Sequence, residues 1–127
     1  MDNQKEQKKA VEKRWREEKY KVMYHSQHHY NHIRQLMKEP LTDIRILDAE
    51  INSAYTLTPT RGSMINTFQH IWGYFKKKAT SQEKAHFMNL LDDLPATAER
   101  IISYLYELAI QYDVQYLKDS SILNDSR

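Results

Sequence analysis

The residues best equipped for chemistry lie within one stretch, Asn66 to Lys78. Placed on a helix at about 100° per residue, Asn66, Gln69, His70, Gly73, Lys76 and Lys77 gather on one side. Ile65, Phe68, Ile71, Trp72 and Phe75 gather on the other, as a core stripe. The polar side thus holds an amide pair, an imidazole and ammonium groups around a position without a side chain. A glycine inside a helix costs roughly 1 kcal/mol relative to alanine, and close approach of a ligand or of another backbone is one reason to keep it. Donors of this kind suit an anionic or carbonyl-bearing ligand. Tight helix packing at Gly73 with a solvated polar face is the simpler alternative. His70 is the candidate general base of this face, and no carboxylate is near it in sequence.

Two further groupings hold reactive side chains. His25, His28, His29 and His32 form the pairs 25/29 and 28/32, whose i,i+4 spacing places two imidazoles on one helix face, an arrangement that can bind zinc. No carboxylate or cysteine accompanies them, so the ligand set is incomplete and no metal is expected. Tyr20, Tyr24, Tyr30 and Tyr74, four of nine tyrosines, lie in segments that also carry Lys or His. Aromatics interleaved with cations can stack nucleobases; in a small bundle they also serve as core residues with a wet hydroxyl end. Walker loops, dinucleotide fingerprints and HExxH are absent, and Asp92-Asp93 falls at a helix end, unsuited to paired-carboxylate chemistry.

Helices must position these groups. The 127 residues hold only two Gly and three Pro, and apolar periods are separated by short gaps. The expectation is an all-α fold, a compact bundle of about six or seven helices. The first helix covers residues 2–24, with Val11, Trp15 and Val22 on one side, Met23 close by and Lys19 laid beside the stripe. Ser26 caps a second helix, about 27–38, which Pro40 ends. Leu41 or Thr42 leads into a third containing Ile44, Leu47, Ile51, Ala54 and Tyr55. The fourth runs from about Arg61 to Ala79. Thr80 and Glu83 form a capping box for the fifth, ended by residues 92–95. The sixth, about 97–112, has the cleanest apolar stripe and is the expected central helix. Asp113 caps a short last helix. Residues 1–10 read as a flexible polar extension, 11–118 as one domain and 119–127 as a loose tail.

Composition narrows the function classes. No run of eighteen apolar residues exists, no secretory h-region opens the chain, and cysteine is absent. A cytoplasmic location is the default, and a thiolate nucleophile, a disulfide or a cysteine-held cluster is excluded from this chain. The net charge of +2 is uneven: residues 1–38 carry ten basic against five acidic side chains. That asymmetry suits a solvated helix or an anionic partner such as RNA.

Trp15, Lys19, Tyr20, Met23, His25, Ser26 and Tyr30, followed by Asn66, Gln69, His70, Gly73, Tyr74, Phe75 and Lys76, resemble the motifs of the YbgA-like family of bacterial domains of unknown function, over about residues 12–117. The resemblance also marks Arg61, and it implies a site on the Gly73 face. It adds nothing for His28, His29 or His32. Members of that family occur alone or fused behind a cysteine-rich domain that resembles thiouracil desulfidases. Desulfidase chemistry belongs to that partner and is not carried over. After Tyr116-Leu117 the chain departs from the family's Gln- and Pro-containing ending.

The expected function is therefore a non-catalytic binding or accessory module for a nucleobase-containing ligand or RNA, with no cofactor. Its expected ligand-binding residues are Lys19, Tyr20, His25, Arg61, Asn66, Gln69, His70, Gly73 and Lys76; a structure decides whether His25, Arg61 and His70 face a common cavity. A cysteine-rich desulfidase-like protein is a candidate partner. Two other readings stand beside it: a small hydrolase or transferase with His70 as base and Lys19 or Lys76 as electrostatic stabiliser, and a protein-interaction module, including a homodimer.

Overall fold

A computed structural model describes residues 2–125. Eight helices follow in order: α1 Asp2–His25, α2 Gln27–Leu36, α3 Ile44–Tyr55, α4 Arg61–Trp72, α5 Ser81–Asp92, α6 Ala98–Gln111, and two single turns, α7 Gln115–Lys118 and α8 Ser121–Asn124. No strand occurs among the described residues. The all-α bundle is as expected.

The central element differs from the expectation. α1, rather than α6, carries the packing, touching α2, α3, α4 and α8. The reason is legible on a wheel of about 100° per residue. Val11, Trp15, Glu18 and Val22 fall in one narrow sector, and Tyr20, Met23 and Tyr24 lie on the opposite side. Each sector seeds its own core. Val11, Trp15 and Val22 meet Ile33, Leu47, Ile51 and Ala54 of α2 and α3. Tyr20 and Met23 join the larger core of α4, α5 and α6, with Phe68, Ile71, Phe75, Phe87, Leu105 and Leu108. A helix buried on two sides shows no single apolar stripe, which is why α6 looked more central.

One ionic network lies inside the smaller half. The Tyr55 hydroxyl donates to Glu18 at 2.6 Å, and Arg14 reaches Glu18 at 3.4 Å and Asp48 at 3.0 Å. Glu18 is only 8% exposed, so these partners offset a desolvation that would otherwise cost several kcal/mol. Burial first, and then the bond to Glu18, push the Tyr55 phenol above its usual range.

The caps explain most of the boundaries. Ser26 accepts from the His29 N–H, as predicted. Asp43, which follows Leu41 and Thr42, caps α3. Thr60 and Ser63 form a capping box for α4, and Thr80 and Glu83 form the predicted one for α5. α4 ends at Trp72 and continues as a tight turn over residues 73–78, so it is shorter than expected. Asp113 has φ 54° and serves as a left-handed joint, while Val114 takes the cap position of α7. From Asp2 on, the first ten residues form the outer turns of α1, with residues 3–10 exposed; Met1 lies outside the described residues. The loose tail is corrected as far as Asp125: Ser120, Ser121, Ile122 and Leu123 are buried against the bundle. Its last two residues, 126 and 127, lie outside the described ones.

Glu83 accepts from the Tyr112 hydroxyl at 2.5 Å and from the Thr80 N–H at 2.9 Å. The Tyr112 bond is the main reason its carboxyl lies below the usual glutamate range. A carboxylate with a lowered folded-state pKa stabilises the fold above the ordinary glutamate range, and that contribution fades as pH falls through the lowered value. Tyr112→Phe is therefore expected to melt below the wild type at neutral pH, with the gap closing in acid. Thermal melts of both proteins from neutral to strongly acidic pH measure it; a gap that stays constant with pH refutes the linkage.

Candidate functional site

The site is built on the seam between α1 and α4. The Ser63 hydroxyl, held by the α4 capping box, donates to the carbonyl of Tyr24 at 2.7 Å, which fastens the start of α4 to the end of α1. One turn later Asn66 Nδ2 donates to Gln27 Oε1 at 2.5 Å, and Gln27 Nε2 donates to Asn31 Oδ1 at 3.1 Å. His25 Nδ1 lies 2.8 Å from the carbonyl oxygen of Leu57. A carbonyl only accepts, so Nδ1 carries a proton, and Nε2 is left as the other functional atom of the ring. His25, Gln27, Ser63 and Asn66 line a cleft of about 580 Å³ whose walls include His28, Thr58 and Gly62, with no carboxylate in its lining. A Cβ built on Gly62 would meet only the Thr60 hydroxyl, at 3.9 Å, so the backbone there is open.

At the opposite end of the seam is a second cluster. The hydroxyls of Tyr20 and Tyr74 are 3.1 Å apart. Tyr74 stacks on Tyr116 with centroids 5.8 Å apart and an interplanar angle of 20°. Tyr20 meets both edge-on at 6.3 Å. The Lys19 ammonium stands 5.1 Å from the Tyr20 centroid and 5.2 Å from that of Tyr116, within cation–π range. Tyr20 is buried, which is the first cause of its raised phenol pKa; the bond to Tyr74 is the second. Tyr24 and Tyr30 pack against the cores, so the core reading holds for three of the four tyrosines, and Tyr74 is 38% exposed.

The expected site residues therefore divide. His25 and Asn66 share the cleft, and Lys19 and Tyr20 share the tyrosine cluster. Gln69, His70 and Lys76 are exposed along α4 and the turn after it. Arg61 points elsewhere: its guanidinium donates to the carbonyls of Leu94 at 2.9 Å and Asp92 at 3.2 Å, tying α4 to the α5–α6 connection. His25, Arg61 and His70 do not share this cleft, because its lining includes His25 and neither of the others. Gly73 is corrected. It is the C-cap of α4, not a helix-interior residue, and a Cβ there would meet only the carbonyls of His70 at 3.1 Å and Gln69 at 3.9 Å. The glycine permits the tightened turn; no other helix approaches it.

The histidine cluster is occupied by structural bonds. His29 bridges the Ser26 hydroxyl at 2.7 Å and the Ser53 hydroxyl at 3.1 Å, joining α2 to α3, and His32 lies 3.6 Å from Glu50. Among the described residues no group of three or more His, Asp or Glu is placed to hold a metal ion. Sequence reasoning missed Gln27, Ser63 and Tyr116. Ser63 had a signal, since it stands three residues after a cap threonine. Tyr116 belonged to the Tyr-Leu pair of the family resemblance. Gln27 had none, because its role depends on where α4 lands.

No helix among the described residues is long and apolar enough to cross a membrane. The family described as a protein of unknown function (DUF1722) matches residues 19–125. No curated protein matches the chain, and no solved structure does. The match takes in Lys19 and Tyr20, the cleft between α1 and α4, and Tyr74 and Tyr116. The chain belongs to the DUF1722 family of proteins of unknown function, which includes the YbgA-like domains.

Proposed function

We propose that the protein is a non-catalytic binding module for a nucleobase-containing ligand, held in the cleft at the start of α4. The observation that carries this reading is the cleft lining: amides of Gln27 and Asn66 and the imidazole of His25 converge on a space of about 580 Å³. Amides offer both donors and acceptors, as the edge of a base requires, and the imidazole adds a further ring nitrogen. A volume in the range of small-molecule sites accommodates a nucleotide. The absence of a carboxylate from that lining favours a ligand with anionic groups. Binding is favoured over catalysis because Lys19 stands over tyrosine rings and no ionisable group is hydrogen-bonded to His70 among the described residues. The resemblance to domains fused to a desulfidase-like partner supports an accessory role, in the cytoplasm, beside such an enzyme.

The test is calorimetric titration with the four common ribonucleoside monophosphates. Saturable binding of at least one is expected, and Asn66→Ala is expected to weaken it about tenfold, the equivalent of about 1.4 kcal/mol. Lys84→Ala, on the exposed side of α5, serves as the unaffected control. Absence of saturable heat with all four, or equal affinity in Asn66→Ala, overturns the reading.

A further inference from the structure

The tyrosine cluster is not explained by a ligand in the cleft. The two sit at opposite ends of α4, whose twelve residues span about 18 Å. At the far end Tyr74 is more than a third exposed although Tyr116 stacks beside it. Lys76, Lys77 and Lys78 follow immediately and are all exposed. None of these three, nor Lys19, makes an ion pair among the described residues. The nearby carboxylates are already engaged: Asp113 with Lys118 at 2.6 Å, Glu83 with Thr80 and Tyr112, and Asp119 with Gln115 at 2.9 Å. An exposed ring braced from behind by a second ring, beside four cations without acidic partners, has the two parts of a single-strand binding surface. Lysines track the phosphates and the ring receives a base.

We propose that Tyr74, backed by Tyr116, and the ammonium groups of Lys19, Lys76, Lys77 and Lys78 form a binding surface for single-stranded nucleic acid. The strand's unpaired base stacks on Tyr74 and its phosphates lie along the lysine run. A duplex cannot use this surface fully, since its base faces are already stacked. Tyr20 acts behind the surface as a positioning residue, because its hydroxyl pairs with that of Tyr74.

The experiment is fluorescence anisotropy with labelled oligouridylate, oligothymidylate and an RNA duplex over a salt series, with polyglutamate as competitor. Oligouridylate is expected to bind in a salt-dependent way, with oligothymidylate showing whether the sugar matters and the duplex binding more weakly. Tyr74→Ala is expected to lose about ten- to a hundred-fold in affinity, and Tyr74→Phe, which keeps the ring, to stay within about twofold of wild type. The triple variant K76Q/K77Q/K78Q should flatten the slope of log affinity against log salt by about 2, and its residues are exposed, so it should fold. Melting curves confirm the fold of each variant. Equal affinity for the duplex, an unchanged Tyr74→Ala, or displacement by polyglutamate as efficient as by unlabelled strand overturns the proposal, the last pointing to an acidic protein instead.

Discussion

Replacing Leu123 with alanine is expected to cost about 2–5 kcal/mol of stability, a large share of the about 5–15 kcal/mol that holds a domain together. Leu123 has no exposed surface, and it lies in a single turn of helix at the end of the chain with Ile122 at 7% exposure. Both join the larger core beside Leu105, Leu108 and Leu117. α8 also touches α1 and α6, so the end of the chain closes over the helix on which both halves depend. The Lys21–Asp125 ion pair at 2.8 Å adds a tie between α1 and the residue that follows α8. It is solvent-facing on both sides, and Asp125→Asn is expected to cost no more than about 1 kcal/mol. Urea unfolding of the two variants separates the contributions. If Leu123→Ala unfolds at the wild-type midpoint, the ending is not part of the core.

Trp72→Ala is expected to cost about 3–5 kcal/mol, whereas His70→Ala, two residues earlier on the same helix, should stay within about 0.5 kcal/mol. Trp72 lies flat on Phe87, with ring centroids 4.6 Å apart and planes 5° from parallel, and it is 8% exposed. Removing the indole leaves a cavity between α4 and α5 and deprives Phe87 of its stacking partner. His70 faces solvent. Chemical denaturation of both variants measures the contrast, with Trp15 left as the fluorescent reporter in the first. Similar losses at the two positions would mean that the apolar and polar faces of α4 are wrongly assigned.

These two residues show how differently parts of the chain were legible. Trp72 belongs to a helix with one buried side, so the 3.6-residue period placed it in the core without any structure. Leu123 sits in a four-residue turn, too short for a period, amid Asp, Ser and Asn that read as loop. The site divides in the same way. Asn66 was legible as a polar-face residue, but its partner Gln27 was not, because the pair forms across 39 positions of sequence. Arg61 was marked by resemblance for a ligand and is spent on two backbone carbonyls. Gly73 looked costly inside a long helix and becomes unremarkable once the helix stops there.

By itself the sequence determined the helical class, most helix boundaries and which side of α4 is buried. Those depend on local physics: period, caps, and the exclusion of helix before proline. Only the tertiary structure decided that α1 is the shared element, that residues 120–123 are core, and that His25 and Asn66 share a cleft while Lys19 meets Tyr116 and Tyr20 meets Tyr74. Those facts depend on which surfaces meet when helices pack. A helix buried on two sides, or a turn rescued by its neighbours, leaves no periodic trace in its own residues.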